Sequence, residues 1–403
     1  MDGPGPEPFD LDVAIVGGCG HVGLPLGLAF ADRGLRVALY DIDERGVEVV
    51  NSGRMPFREK GADEVLARVR GEGRLEATTD PSLVGRAEAV VVVIGTPVDE
   101  HLNPDIQAVA DAVGEFIDHL VDGQLLVLRS TVYPGVTAKV EKLLAASGRK
   151  VHVAFCPERI AEGKAMTELF ELPQIVAGRT PEAMERAEKL FRTLTQETVR
   201  LEPEEAELAK LFTNAWRYIK FAAANQLYMI ANDYGQDFER IRAALAHDYP
   251  RAADMPKAGF AAGPCLFKDT AQLAAFNNNN FHLGQAAMMI NEGLPLYVIS
   301  RVEAEHDLST MTVGILGMAF KSESDDTRSS LSYKLKRILR FKAKSVLCTD
   351  PYVESDPTLV TLEEVLRQAD LLIVGVPHRA YLSLDVAVPV IDIWGAVGGS
   401  VRV

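Results

Sequence analysis

The chain has 403 residues, of which 47% are hydrophobic and 25% charged, and a formal net charge of −15. That length exceeds one ordinary core and predicts two or three domains. The acidic balance argues against a nucleic-acid-binding surface, and no apolar run approaches the roughly 20 residues of a membrane helix.

The opening stretch "MDGPGPEPFDLD" is polar, acidic and rich in Pro and Gly, so it reads as a frayed tail rather than a signal peptide. "DVAIVG" (12–17), "RVALYD" (36–41), "AEAVVVVIG" (87–95), "QLLVLRS" (124–130) and "VHVAF" (151–155) read as strands. Their apolar residues run continuously, as in strands buried on both faces of a parallel sheet. Helix-like segments at 22–33, 105–119 and 135–147 lie between them. This alternation predicts a doubly wound α/β sheet.

From 204 to 234 the sequence carries no Gly or Pro and predicts one long helix. Pro203 and the acidic residues of 202–207 suit its N-terminal end. Asn225, Gln226 and Asn232 are atypical of a lone surface helix. A second helix is predicted over 284–305, kinked at Pro295. "MTVGILG" (311–317), "KSVLCTD" (344–350) and "ADLLIVGVP" (369–377) then restart the α/β rhythm. The predicted fold is therefore two Rossmann-like doubly wound parallel sheets joined by a helical middle region. The predicted boundaries are 1–200, 201–305 and 306–403.

Cys19, Cys156, Cys265 and Cys348 form no C-x-x-C pair and have no histidine at metal-ligand spacing, so no zinc or other metal site is expected. Without an export signal the reading is a reduced, cytoplasmic protein.

"VAIVGGCGHVGLPLGLAFADRGLRVALYDID" carries the strongest local signal. Gly18, Gly20 and Gly23 make G-x-G-x-x-G, with His21 and Val22 between the last two, directly after a strand and before a helix. The first glycine is expected to permit the tight turn, the second to let a pyrophosphate approach, the third to let helix and strand pack closely. Asp41 ends the next strand, where an acidic residue takes ribose hydroxyls. No arginine directly follows it (Arg45 is the nearest), which favours NAD over NADP. The loops at 93–97 and 129–135 end strands of the same sheet. Thr96, Ser130 and Thr131 there read equally as cofactor-lining groups and as helix caps.

Cys265 sits in "GFAAGPCLFKD" (259–269). Taken alone it reads as a small apolar residue before it reads as a nucleophile. Six segments change that: "GGCGHVGLP" (17–25), "STVYPG" (130–135), "CPERIAEGKA" (156–165), "AELAKLFTNAWR" (206–217), "GPCLFKD" (263–269) and "GMAFKSESDDTRSS" (317–330). Together, and in this order, they resemble the UDP-glucose/GDP-mannose dehydrogenase family over nearly the whole chain.

The resemblance implies NAD-dependent, four-electron oxidation of the primary alcohol of a nucleotide-linked sugar to a carboxylate, with Cys265 as nucleophile. It implies active-site roles for Lys210 and Asn214, one helical turn apart, and for Asp269, Thr131, Glu158 and Glu162. One of those two glutamates would assist proton transfer and thioester hydrolysis, and Glu162 would also face the cofactor. Taken alone, Lys210 reads as a solvated helix lysine and Glu162 as a surface residue. The resemblance further implies nucleotide or cofactor contacts for Lys321 and Arg328, and a sugar site lined by Phe260, Gly263 and Phe320. Arg251, in "HDYPRA", would enter the sugar site of a neighbouring subunit, making the enzyme a homodimer joined through the long helix. Two departures, "GFAAGPC" and "PERIAEG", resemble the UDP-N-acetylhexosamine branch rather than UDP-glucose enzymes. His21 stands where many relatives carry tyrosine. Two other readings are an NAD-dependent dehydrogenase performing a single oxidation, and a non-catalytic protein that binds NAD or a nucleotide sugar.

Overall fold

The structure, a computed structural model, describes residues 9–96, 98, 99 and 104–397. Most of the expected N-terminal tail, and Pro97 of the 93–97 loop, lie outside the described residues. The chain divides into two compact units, residues 1–212 and 213–403.

The first unit runs β1 (Leu11–Val16), α1 (Gly23–Asp32), β2 (Val37–Tyr40), α2 (Glu44–Asn51), α3 (Ala62–Gly71), β3 (Leu75–Thr78), β4 (Ala87–Val92), α4 (Ala108–Phe116), β5 (Leu125–Leu128), α5 (Val136–Ala146), β6 (His152–Phe155), α6 (Ala165–Glu171), β7 (Gln174–Gly178), α7 (Pro181–Phe191) and β8 (Thr198–Leu201). These strands form one sheet in the order β3-β2-β1-β4-β5-β6-β7-β8. Successive residues of a strand face opposite sides: Val13 and Ile15 join one apolar cluster with α1, while Ala14 and Val16 join another with α4 and α5. Helices thus cover both faces, as a continuously apolar strand requires. The five strands expected here are present. β3 and β8, each only four residues long and partly exposed, have no comparable apolar run. β7 pairs antiparallel with β6, so the sheet is parallel except at that step.

α8 (Pro203–Asp233) is the expected long helix. Near its start the buried Glu207 carboxylate accepts N–H bonds from Gly135 (2.6 Å) and Thr137 (2.8 Å), fixing that turn against the start of α5. The helices α9 (Phe238–Ala246), α10 (Leu266–Phe276) and α11 (His282–Glu305) follow, and α11 runs through Pro295. Then come β9 (Thr312–Leu316), α12 (Leu331–Lys342), β10 (Ser345–Thr349), α13 (Leu362–Gln368), β11 (Leu371–Val374) and β12 (Val390–Ile391). These strands form an all-parallel sheet, β10-β9-β11-β12. In both sheets the strand order reverses beside a central strand, between β1 and β4 and between β9 and β11. Loops leaving the carboxyl ends of those strands are where such folds bind ligands.

Candidate functional site

In the first unit the loop after β1 makes the turn expected of the glycine pattern, with one shift. The left-handed residue is Gly17 (φ 76°), whose Cβ would fall 1.9 Å from the Val93 carbonyl oxygen. Gly18 instead permits close packing, since a Cβ there would lie 2.6 Å from that of Leu39. Gly23 opens α1 after the N-cap Val22, and its Cβ would meet the Gly17 oxygen at 2.2 Å. Gly20 is different. It is exposed, and a Cβ would have only the Gly17 oxygen nearby, at 3.8 Å. Open space over Gly20, at a helix N-terminus, fits the pyrophosphate of a dinucleotide.

The two glycines should therefore respond differently to alanine. Gly23→Ala should cost about 1–3 kcal/mol of stability through overpacking. Gly20→Ala should leave the melting temperature nearly unchanged and weaken NAD binding about tenfold or more, about 1.4 kcal/mol. Calorimetric titration with NAD beside thermal melts distinguishes the two.

Asp41 follows β2, and its carboxylate accepts N–H bonds from Cys19 (2.9 Å) and Asp43 (3.0 Å). The acid that is to hold ribose hydroxyls is thus tied to the glycine turn itself. Thr96 and Ser130 cap no helix. Ser130 Oγ accepts from Ile94 N–H (2.8 Å), and Thr96 Oγ1 donates to the Thr131 carbonyl (2.6 Å). These bonds brace the loops after β4 and β5 against each other at the ligand-binding edge of the sheet.

A third loop, 156–165, is held by carboxylates on its backbone. Buried Glu158 accepts from Arg159 N–H (2.6 Å) and Ile160 N–H (2.8 Å) with Oε1, while Oε2 forms an ion pair with the buried Arg129. Glu168 accepts from Ala161 N–H, and Glu59 from Gly163 and Ala165 N–H. This frame holds Glu162, whose Oε1 lies 3.3 Å from His21 Nδ1. The His21 ring packs on Phe57, with centroids 4.0 Å apart. The sequence placed His21 and Glu162 separately, and their pairing had no local signal. Lys210 is half-buried on α8, one turn before Asn214.

In the second unit Cys265 is exposed and caps α10. Asp269, fully buried, donates its N–H to the Cys265 carbonyl (2.8 Å). Its Oδ2 accepts from the buried Asn214 amide (2.5 Å), and Oδ1 lies 2.8 Å from Lys268 Nζ. Three residues expected at the site, Asn214, Asp269 and Cys265, are therefore joined through the first turn of α10. Cys19, Cys156 and Cys348 are buried, and burial pushes their thiols up to about 12, 12 and 11.

The Cys265 loop also meets the loop after β9. Gly263 (φ 105°) lies so close to the Phe320 ring that a Cβ would approach it to 2.8 Å. Lys321 Nζ stands 5.3 Å over the same ring. Arg328 grips Asp326 through Nε and Nη2. Buried His378, after β11, accepts the Glu323 N–H on Nδ1 (3.0 Å), and its Nε2 faces Asp350 Oδ2 at 3.1 Å. Asp350 Oδ2 also accepts from Met318 and Ala319 N–H. Burial alone would raise the Asp350 carboxyl, but His378 and these N–H groups outweigh it and hold it below its ordinary range. His378 and Asp350 escaped the sequence reading, and both stand at strand ends where a ligand site would be sought.

The Phe260 side chain is buried and packs edge-on to Trp394, with centroids 6.3 Å apart. Arg251 is exposed, its guanidinium 5.4 Å over the Tyr249 ring. Among the described residues no helix is long and apolar enough to cross a membrane.

Comparison with known proteins identifies the family. Residues 11–195 match the NAD-binding domain, 204–293 the central domain and 314–397 the UDP-binding domain of the UDP-glucose/GDP-mannose dehydrogenase family. A UDP-N-acetyl-D-mannosamine dehydrogenase of Pyrococcus horikoshii is 30% identical over 397 residues, spanning 96% of this chain and 92% of that protein. A solved UDP-D-ManNAc dehydrogenase from Pyrococcus horikoshii superposes with a TM-score of 0.90 at 28% identity, covering 97% of this chain and 98% of that one. A solved UDP-glucose dehydrogenase of Pyrobaculum islandicum gives 0.89 at 27% identity, covering 97% and 96%. The chain therefore belongs to the UDP-glucose/GDP-mannose dehydrogenase family and is a nucleotide-sugar dehydrogenase with NAD as its cofactor.

Proposed function

We propose that this protein oxidises the 6-hydroxymethyl group of a UDP-N-acetylhexosamine to a carboxylate, through thiohemiacetal and thioester intermediates on Cys265. The observation that carries the reading is the exposed Cys265 at the N-terminus of α10, with the buried Asn214–Asp269 pair on the same first turn. A helix N-terminus favours a thiolate over a thiol.

Alcohol to carboxylate removes four electrons as two hydrides and takes up one water. Bound NAD, held by the glycine turn and Asp41, supplies the hydride acceptor at each oxidation. The Cys265 thiolate adds to the intermediate aldehyde, keeps it from leaving, and presents a C–H bond for the second oxidation. Water then cleaves the thioester. Lys210 and Asn214 stabilise the oxyanions that form, and the family resemblance gives Thr131 an active-site role. Glu158 has both oxygens engaged by Arg129 and loop N–H groups, so we assign it to anchoring the 156–165 loop. Glu162, half-buried beside His21, is then the carboxylate for proton transfer. Lys321 and Arg328 take the nucleotide phosphates.

The N-acetylhexosamine assignment rests on "GFAAGPC" and "PERIAEG" and on the names of the relatives above; the UDP-glucose dehydrogenase likeness is the competing case. We further propose three working parts: 1–200 for NAD, 201–305 for the cysteine loop and subunit contact, and 306–403 for the nucleotide. The subunit contact is a homodimer through α8, where Trp216, Leu227 and Ile230 are exposed, and Arg251, in the segment after α9, reaches the neighbour's sugar. A monomer by sedimentation would remove this part.

The test of the function is NADH formation with UDP-N-acetylmannosamine, UDP-N-acetylglucosamine, UDP-glucose and GDP-mannose. Two NADH per sugar with an N-acetylhexosamine is expected. Turnover of UDP-glucose alone would overturn the substrate, and one NADH per sugar would overturn the four-electron mechanism.

A further inference from the structure

Asn225 was atypical in the sequence, and no step above uses it. It is buried on α8, and its amide makes a two-point contact with a single glycine: Oδ1 accepts from Gly259 N–H (2.9 Å), and Nδ2 donates to the Gly259 carbonyl (3.0 Å). The same Nδ2 donates to Oδ1 of Asn291 on α11 (2.9 Å), and Asn291 Nδ2 donates to the Tyr218 carbonyl (3.1 Å). Asn291 is fully buried. Buried amides are retained only where their partners are present, because an unsatisfied one costs the full desolvation penalty.

Gly259 opens the loop that ends at Cys265. Its φ is 153°, and a Cβ there would stand 2.1 Å from the Trp394 ring, so only glycine fits. The far end of the loop is held by Asn214 through Asp269. Asn214 and Asn225 are 11 residues apart in sequence. At ~100° per residue that is three turns plus ~20°, so both project from one face of α8, ~16 Å apart along its axis.

We propose that Asn225, oriented by Asn291, is a positioning residue for Cys265. Together with Asn214 it makes one face of α8 a rigid ruler that clamps both ends of the 259–265 loop and sets the thiol at the helix terminus. The idea rests on Cys265 being the nucleophile, but its effect on the loop does not.

The experiment compares Asn225→Ala and Asn291→Ser with the wild-type enzyme in two measurements. The first is the rate of Cys265 alkylation by iodoacetamide, read by peptide mass spectrometry. The second is steady-state kinetics, with thermal melts as the check on folding. Both variants should alkylate Cys265 several-fold more slowly and lose about 10- to 100-fold in kcat, as a displacement of about 1 Å does. KM for NAD should stay within about twofold. Asn291 hydrogen-bonds Asn225 and the Tyr218 carbonyl, with no hydrogen bond to the loop among the described residues, so Asn291→Ser loosens Asn225 while leaving the two bonds between Asn225 and Gly259 in place. If Asn225→Ala does not fold, Asn291→Ser decides. Folded variants with wild-type alkylation rate and kcat would overturn the proposal. Cys265→Ala, measured alongside, separates the two ideas: if it keeps full turnover the nucleophile assignment fails, while the alkylation comparison still decides the clamp.

Discussion

Cys265→Ser should lose formation of the uronic acid by at least about 10³-fold, which is about 4 kcal/mol of transition-state stabilisation. The substitution changes one atom at an exposed N-cap, and serine is itself a good cap, so folding should be unaffected. What changes is nucleophilicity. A thiol ionises near pH 8.5 in water and more readily at a helix N-terminus, whereas a hydroxyl without an adjacent base stays protonated. No histidine lies within the loop or the first turn of α10 to act as that base. The first hydride transfer does not use the sulfur, so the variant should form at most about one NADH per site and then stall, with aldehyde detectable by trapping. The wild-type enzyme should lose activity on alkylation of one thiol, because burial holds the Cys19, Cys156 and Cys348 thiols up at about 12, 12 and 11. Rapid-quench counting of NADH per site measures both. Two NADH per sugar from the serine variant at wild-type rate would remove Cys265 from the chemistry.

The contrast between local and distant signals explains what the sequence disclosed. The cysteine loop was read through the family resemblance and not from its own residues, whereas the glycine turn and Asp41 were legible because each rests on a few residues at a required spacing. Even there the tight turn fell on Gly17 rather than Gly18, since the motif marks where glycines stand and not which of them takes φ > 0. Helix boundaries on α8 and α11 came within one or two residues; α8 has no Gly and no Pro after its first residue, whereas α11 runs through Gly284, Gly293 and Pro295. The bracing groups were invisible. Asn225 and Gly259 are 34 residues apart, Arg129 and Glu158 are 29, and His378 meets Asp350 across 28. Each of these residues alone is compatible with a surface position, and only the fold supplies its partner. The Phe260–Trp394 contact likewise joins residues far apart in the chain, and only the fold brings the two rings together.

Arg129→Met should destabilise the first unit by about 3–5 kcal/mol, a large part of the roughly 5–15 kcal/mol that holds a domain folded. Arg129 is 1% exposed and does four things at once. Its Nη2 pairs with Glu158, its Nη1 donates to the Cys156 carbonyl (2.9 Å) and to Gln174 Oε1 (3.0 Å), and its guanidinium lies 4.8 Å over the Phe191 ring. Methionine replaces the volume but strands the Glu158 carboxylate in a buried site with only the Arg159 and Ile160 N–H groups. The cost comes from that orphaned charge rather than from the net value of the pair. The double variant Arg129→Met/Glu158→Gln should therefore recover much of the loss, since a neutral amide needs no counter-ion. Urea unfolding, followed through loss of NAD binding so that only the first unit is read, gives both numbers. The recovery should extend to structure but not fully to catalysis, because an amide in place of the Glu158 carboxylate accepts the two loop N–H bonds less strongly, and Glu162 depends on that loop. A loss below about 1 kcal/mol for Arg129→Met would mean that water reaches Glu158, and that it, rather than Glu162, is open to proton transfer.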